Sequence, residues 1–283
     1  MKCPLCENSN TAERFVINSY KILDCALCGH RFTGLKLNKE NIKEIYSDSY
    51  FFEGKDGYPD YTLERDMLIA SGERYADIVS AYMKTGTLLD VGSAAGFIMK
   101  GFENKGWRVV GVEPNSSMAC YGKENFGLDI RVDTIEEVGL KLRADLGLLI
   151  QVIAHLYDIN RSMESINRVI KNGGFLLIET WDKDSYMARI LGSRWHEYSP
   201  PSTLNYFSRI TMDFFLNRYG FRKIAGGRPS KKLHSSHAKS LLRHKLNSSK
   251  SLRWIAGIEK LLPGNKFIPY PSEDLFWALY RKC

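Results

Sequence analysis

Short apolar runs alternate with amphipathic stretches along most of this chain. Leu88-Leu89-Asp90-Val91 is an apolar run that ends in the small-residue turn Gly92-Ser93-Ala94-Ala95-Gly96, and a helical pattern follows. After a first helix over 62–84, the periodicity predicts strand 87–91, helix 96–105, strand 107–113, helix 116–126, and strands 129–132 and 145–151. It continues with helix 159–171, strand 174–181, helix 208–219 and strand 221–226. Ser208 is placed to cap the last of these helices and Gly220 to end it, while Asn172-Gly173-Gly174 marks a turn into its strand. Such alternation predicts an α/β fold, a mostly parallel sheet with helices on both faces. The final run, Asp274 to Arg281, reads as a strong strand with no helix closely before it, so it is expected to pair antiparallel at the sheet edge.

The turn after Val91 gains meaning from a second feature. Val109-Val110-Gly111-Val112 is another apolar run, and it ends at Glu113. A small-residue turn lets a ligand approach the backbone at a helix N-terminus, and an acid closing the next strand can accept from two ribose hydroxyls. A glycine turn alone often serves packing only; the paired acid points to nucleotide binding.

Before this alternation begins, Cys3, Cys6, Cys25 and Cys28 form two Cys-x2-Cys pairs, the spacing of a zinc ribbon. Four thiolates can surround one Zn²⁺ tetrahedrally and leave no open position, which makes the expected zinc structural. His30 is the alternative ligand in place of Cys28. Arg14 to Ile17 and Tyr20 to Leu23 read as a hairpin around Asn18-Ser19. Residues 1–35 are too few to bury a sufficient core, so metal is expected to supply much of their folding energy. Residues 36–61 form an aromatic-rich linker with short helical turns, including Tyr46, Tyr50, Phe51, Phe52 and Tyr58. Those aromatics fit either core packing or a substrate-facing lid.

Composition changes the picture in one place. The chain has 283 residues, is 44% hydrophobic, and carries a net charge of +8. Arg228 to Lys260 alone holds nine Lys and Arg against one acid, so the rest is close to neutral and a global argument for nucleic-acid binding fails. This segment, 228–262, reads as a basic helical insertion before the last strand. In its second helix Trp254, Ile255, Ile258, Leu261 and Leu262 form an apolar stripe opposite Lys250, Arg253 and Lys260. It is expected to pack on the sheet edge or a second subunit, or else to meet an anionic membrane or polyanionic glycan carrier. Basic residues are not interleaved with aromatics there, which disfavours nucleic acid. No membrane span or signal-peptide pattern is read, so the expected location is cytoplasmic, with peripheral attachment to the membrane through the basic segment as the alternative.

The order of these landmarks resembles the class I S-adenosylmethionine-dependent methyltransferases, and within them a bacterial and archaeal branch with an N-terminal zinc ribbon. The resemblance covers 1–227 and the last strand. Its landmarks are the two Cys pairs, Tyr46 to Phe51, Leu89 to Gly96, Gly111 to Pro114, Ala144-Asp145, His155 to Asp158, Asn172 to Gly174, Trp195, Pro200 to Ser208, and Gly220-Phe221. It implies a Rossmann-like seven-stranded sheet with an antiparallel last strand, made by 62–227 and 263–283. It implies that Asp90, Gly92, Ser93 and Gly96 border the methionine part of S-adenosylmethionine, with Ala94 where the family often has glycine. Glu113, followed by Pro114, would hold the ribose. Asp133 with Thr134 and Ile135 would meet the adenine edge, and Gln151 and Val152 would face the methionine or adenine side. Some relatives have glutamates at the positions of Gln151 and Ala154 and bind metal there; neither is acidic here, so no catalytic metal is expected. Thr203 stands where the family's loop usually has histidine.

A methyl on a sulfonium is already activated. The enzyme must align a nucleophile behind it, exclude water and, for a hydroxyl, remove a proton. His155, just past the fourth strand, is the candidate base; the alternative is a histidine that caps a turn. His196 and Tyr198 are further catalytic candidates, and Arg189 and Arg194 could bind an anionic acceptor. No Asn/Asp-Pro-Pro-aromatic motif follows the fourth strand and no Pro-Cys nucleophile exists, which disfavours exocyclic amine and cytosine-C5 methylation. The expected function is methyl transfer to a small or carrier-linked acceptor, foremost a sugar or glycan-precursor hydroxyl. The rivals are an RNA-base methyltransferase gripping RNA with the ribbon and basic segment, and a non-catalytic binding protein on a degenerate methyltransferase domain. Intact Asp90, Gly92, Gly96 and Glu113 argue against degeneracy.

Overall fold

The structure is a computed structural model that describes residues 1–52, 60–229 and 272–283, together with the backbone of 231–234 and 267–270. In chain order the N-terminal elements are β1 (Thr11–Ile17), β2 (Tyr20–Cys25), β3 (Arg31–Thr33), α1 (Lys39–Ile45), α2 (Asp48–Phe52) and α3 (Arg65–Ser80). Then come β4 (Thr87–Val91), α4 (Phe97–Asn104), β5 (Arg108–Glu113), α5 (Ser116–Phe126), β6 (Ile130–Val132), β7 (Ala144–Ile150), α6 (Ile159–Val169) and β8 (Ile170–Trp181). The remainder is α7 (Tyr186–Leu191), β9 (Asn205–Tyr206), α8 (Arg209–Asn217), β10 (Phe221–Gly227), β11 (Lys231–His234), β12 (Phe267–Tyr270) and β13 (Leu275–Lys282).

The main sheet has seven strands in the order β10-β13-β8-β7-β4-β5-β6. The five strands from β8 to β6 pair in parallel, and β13 is antiparallel to both its neighbours. The last strand was expected at the edge and is instead internal. Its side chains explain the position: Leu275, Phe276, Ala278, Leu279 and Tyr280 are all buried, and a strand apolar on both faces needs cover on both sides. β10 takes the edge, and its Arg222 and Lys223 are exposed there, a charged edge that resists further pairing.

Two further boundaries move. The predicted helix over 159–171 stops at Val169, and Asn172-Gly173-Gly174 lies inside β8 rather than before it. Gly173 has φ +76°, and the ladder with β7 jumps from Ala144↔Ile170 to Leu146↔Phe175, so the turn residues form a bulge. The predicted helix over 62–84 begins with a 3₁₀ turn, Tyr61–Glu64, capped by the Asp60 side chain on Thr62 N, and ends its regular part at Ser80.

The N-terminal hairpin forms as expected. Asn18 (φ 49°) and Ser19 (φ 67°) both take the left-handed conformation that a two-residue hairpin turn with native twist requires. The sequence pattern did not reveal what completes its sheet. β3 pairs with β2 on one side and with β9 on the other, giving a four-stranded order β1-β2-β3-β9. The ribbon is thereby joined to a segment some 170 residues away. Its Cys3, Leu5, Cys25 and Phe32 share one apolar cluster with Ile153, Leu156 and Phe207. Residues 1–228 and 273–283 form one compact unit.

Residues 229–272 form a second unit, in which β11 and β12 pair antiparallel. The expected helical insertion over 228–262 thus includes a strand at its start. Its amphipathic stripe around Trp254, with Lys250, Arg253 and Lys260, lies outside the described residues. Among the described residues no helix is long and apolar enough to cross a membrane.

Candidate functional site

A half-open cavity lies at the carboxyl ends of β4, β5 and β7, where parallel α/β sheets place ligands. Gly92, Ala94, Glu113, Pro114, Asp133, Thr134, Gln151 and Val152 line it. Asp90, Ser93 and Gly96 do not line it; they are buried in and behind the turn that makes its floor. The turn is tight because Gly92 (φ +67°) and Gly96 (φ +76°) are left-handed, and so is Ala94 (φ 46°). A Cβ at Gly92 would meet the Val152 side chain at 2.7 Å, so any larger residue there would displace a lining residue of the cavity.

Glu113 closes β5 as expected, and the structure gives it a second task. Its Oε2 accepts from Ala94 N at 2.8 Å and its Oε1 from Asn115 N at 2.9 Å, which ties the β4 turn to the start of α5. Each oxygen keeps lone-pair capacity for a hydroxyl donor. Burial pushes Glu113 up to about 7 despite those two donors, and burial together with the Glu113 charge pushes Asp90 up to about 8. The sign follows from linkage. Both acids hold their protons to higher pH when folded than when unfolded, so the stabilisation is present at low pH and fades as pH rises through about 4 to 8. Asp90→Asn is therefore expected to gain thermal stability relative to wild type as pH rises from 5 to 8.5. Calorimetry of the ligand-free protein showing a constant difference across that range would refute the assignment.

Gln151 has φ 59°, an uncommon conformation for a side chain of its size. It is held there from one residue. Its main-chain N donates to Glu179 O at 2.9 Å and its Nε2 to Glu179 Oε1 at 2.8 Å, while Tyr75 Oη donates to Glu179 Oε2. The sequence pattern did not single out Glu179 or Tyr75; a buried acid near the end of a core strand was the available signal.

Aromatic residues also line the cavity: Tyr46, Tyr50, Phe51, Tyr61 and Tyr157. The described part of the 36–61 stretch packs as core and also lines the cavity, while Tyr58 lies outside the described residues. Phe51 and Tyr61 pack in a core cluster with Phe97 and also line the site. Asn115 Nδ2 donates to Tyr46 O and Asp48 Oδ1, both at 3.0 Å, which docks the stretch on α5.

His155 lines the same cavity. Its Nδ1 lies 2.8 Å from Ser202 O, which also accepts from Tyr46 Oη at 2.8 Å. A carbonyl can only accept, so Nδ1 carries the proton. Burial lowers the His155 pKa below its ordinary value, against the Ser202 carbonyl, which raises it. The ring is neutral near pH 7 and Nε2 is left as a lone-pair acceptor. The other two catalytic candidates do not reach the cavity. Tyr198 packs with Ile22, Trp195 and Tyr206, and its Oη accepts from Arg31. His196 stands edge-on to Trp181, with Nδ1 at 4.0 Å from Asp274 Oδ2. Both follow the buried Trp195, whose packing turns this segment toward the hairpin. Arg189 and Arg194 are exposed and do not line the cavity.

The four N-terminal cysteines converge, with all Sγ atoms within 4.8 Å of one another. Cys3 and Cys28 Sγ are 3.6 Å apart, and Cys6 and Cys25 Sγ 3.5 Å. Tetrahedral thiolates at 2.3 Å from zinc stand about 3.8 Å apart, so this donor set fits zinc. Burial raises the Cys3 thiol, whereas at Cys25 burial is outweighed by the N–H groups of Cys28 and Leu27 together with the Cys6 and Cys28 thiols, which bring it to about 7. His30 is not among the ligands. Its Nε2 bonds Asn205 Oδ1 at 3.2 Å, and burial lowers it to about 3, so it is neutral.

A family profile described as a methyltransferase domain matches residues 65–225. Among curated proteins, a ubiquinone biosynthesis O-methyltransferase of Bradyrhizobium sp. (strain ORS 278) is 29% identical over 142 residues, 44% of this chain and 56% of that protein. The chain thus spans about half the length of such relatives. Among solved structures, the Burkholderia thailandensis 1,6-didemethyltoxoflavin-N1-methyltransferase, bound to S-adenosylhomocysteine, covers 95% of this chain and 98% of its own, at a TM-score of 0.55 and 13% identity. A magnesium protoporphyrin IX methyltransferase from Synechocystis PCC 6803 covers 86% and 100%, at 0.51 and 10%. These structures share the fold.

Proposed function

This chain belongs to the methyltransferase-domain family matched over residues 65–225, and from that premise we propose that it catalyses S-adenosylmethionine-dependent methylation of a hydroxyl on a small acceptor. The observation that carries the reading is one cavity lined by Glu113, by Gly92 and Ala94 of the β4 turn, and by the neutral imidazole of His155. S-adenosylmethionine held there would supply an activated methyl on a sulfonium. Glu113 would accept from its ribose hydroxyls, Asp133 and Thr134 would meet the adenine, and Gln151 and Val152 would lie along its methionine side. His155 Nε2 would take the proton of the acceptor hydroxyl and so ready its oxygen for the methyl that the cofactor supplies. Zinc would stay in the ribbon with Cys3, Cys6, Cys25 and Cys28, away from this chemistry.

Two observations bear on the acceptor. Tyr46, Tyr50, Phe51 and Tyr157 give the cavity an aromatic lining, which suits a planar ring. A histidine whose pKa is lowered is a weak base, matched better to an acidic hydroxyl than to an alcohol. Both favour a phenolic or enolic hydroxyl, in line with the relatives named for ubiquinone O-methylation. The sugar or glycan-precursor hydroxyl is the second reading, favoured by Asp133, Glu136 and Gln151, which give the cavity polar partners for ring hydroxyls. The RNA rival leans on the basic segment, most of which lies outside the described residues.

The test is an acceptor panel of catechols, other phenols and nucleotide sugars, incubated with methyl-labelled cofactor and read by mass spectrometry. Label on a phenolic oxygen is expected. Label on a sugar oxygen would select the second reading, and label on none, with cofactor bound, would reject O-methylation of small acceptors.

A further inference from the structure

The turn that carries His155 is gripped on three successive residues by one short segment. Leu204 N donates to Ala154 O at 2.9 Å, Ser202 O accepts from His155 Nδ1 at 2.8 Å, and Asn205 Nδ2 donates to Leu156 O at 3.3 Å. That segment is gripped in turn by the ribbon. Thr33 N donates to Leu204 O and Thr33 Oγ1 to Thr203 O, both at 2.8 Å, and His30 Nε2 donates to Asn205 Oδ1 at 3.2 Å. The Asn205 amide is fixed between two partners, since its nitrogen must face the Leu156 carbonyl and its oxygen His30. His30, Thr33, Thr203 and Asn205 are each at most 4% exposed, so water cannot enter to replace a lost partner, although Thr203 O also accepts from Tyr206 Oη at 3.1 Å.

We propose that the ribbon is an internal clamp for the candidate base: Thr33 and Asn205 are positioning residues that hold His155 in the Nδ1–H tautomer with Nε2 toward the cavity. The catalytic value of the clamp rests on His155 being the base; its geometry does not. The three grips leave the turn one position, and an imidazole held through Nδ1 cannot present its N–H to the acceptor. The arrangement also accounts for β9, a two-residue strand whose contribution is to join the 202–206 segment to β3.

The experiment uses the full chain with Thr33→Val, Thr33→Ser and Asn205→Ala, and Tyr280→Phe as control. Tyr280 Oη donates to Asp213 Oδ1 at 2.6 Å, a partly buried hydrogen bond outside the clamp. Long-range proton–nitrogen correlation spectra of His155 should show the Nδ1–H form in wild type, Thr33→Ser and Tyr280→Phe, and a tautomer mixture in Thr33→Val and Asn205→Ala. With an acceptor in hand, kcat should fall about ten- to hundredfold in the last two, with the KM for S-adenosylmethionine within twofold and Thr33→Ser restoring the rate. Unchanged His155 nitrogen shifts in folded Thr33→Val and Asn205→Ala would overturn the clamp. Shifts that move while His155→Ala stays active would uphold the clamp and reject His155 as base.

Discussion

His155→Ala should lower methyl transfer about 10²–10⁴-fold while leaving cofactor affinity within twofold. The factor is what a positioned general base contributes. The variant should fold, because the carbonyl that loses the imidazole keeps Tyr46 Oη as its donor, so no buried acceptor is orphaned. His155→Gln sharpens the test. A glutamine amide can still donate to Ser202 O but cannot take a proton at neutral pH, so it should be as slow as alanine. Calorimetry separates the steps: unchanged affinity for S-adenosylmethionine with lost turnover assigns His155 to the chemical step. A loss below threefold, measured with an acceptor that wild type methylates, would return His155 to the role of a turn residue.

The sequence made the scaffold legible because each strand-to-helix step left a local mark. β4 and α5 fall on their predicted bounds, and Glu113 ends β5 where the apolar run ends. The turn glycines were legible for the same reason, since Gly92 and Gly96 sit at left-handed positions that few other residues adopt. Relations made across long separations were not. Nothing near Thr33 announces that it will bond Thr203, or near His155 that a carbonyl 47 residues later will fix its tautomer. The internal place of β13 was partly visible: Leu275-Phe276-Trp277-Ala278-Leu279 is apolar without alternation, which fits a strand covered on both faces. His196 and Tyr198 drew notice as polar residues after Trp195, but burial of that indole against the hairpin decides their direction, and burial is not a local property. The basic segment was conspicuous in charge, and charge says nothing of fold.

Cys25→Ser should cost the protein its metal and a large part of the stability of the whole N-terminal unit. About one zinc per chain should accompany the freshly purified wild type, since four thiolates fill one tetrahedral shell. Removing a ligand leaves three, and structural zinc contributes about 10–16 kcal/mol to the folding of small ribbons. That is as large as the whole stability of an ordinary domain, about 5–15 kcal/mol, so the hairpin cannot keep its place on its own apolar contacts. The loss should not stay in the hairpin. Cys3, Leu5, Cys25 and Phe32 share a cluster with Ile153, Leu156 and Phe207, and β3 carries β9. A loss of several kcal/mol, at about 2–4 °C per kcal/mol for a unit of this size, should lower the melting temperature on the order of 10 °C. Limited proteolysis should then cut within residues 1–37. Zinc measured by elemental analysis, melting temperature and the proteolysis pattern should move together in Cys25→Ser and stay fixed in Cys120→Ser, whose thiol is exposed on α5. Wild type purified without zinc, or Cys25→Ser retaining it in full, would remove the ribbon's metal and leave its place in the fold to be carried by β9 and the shared core alone.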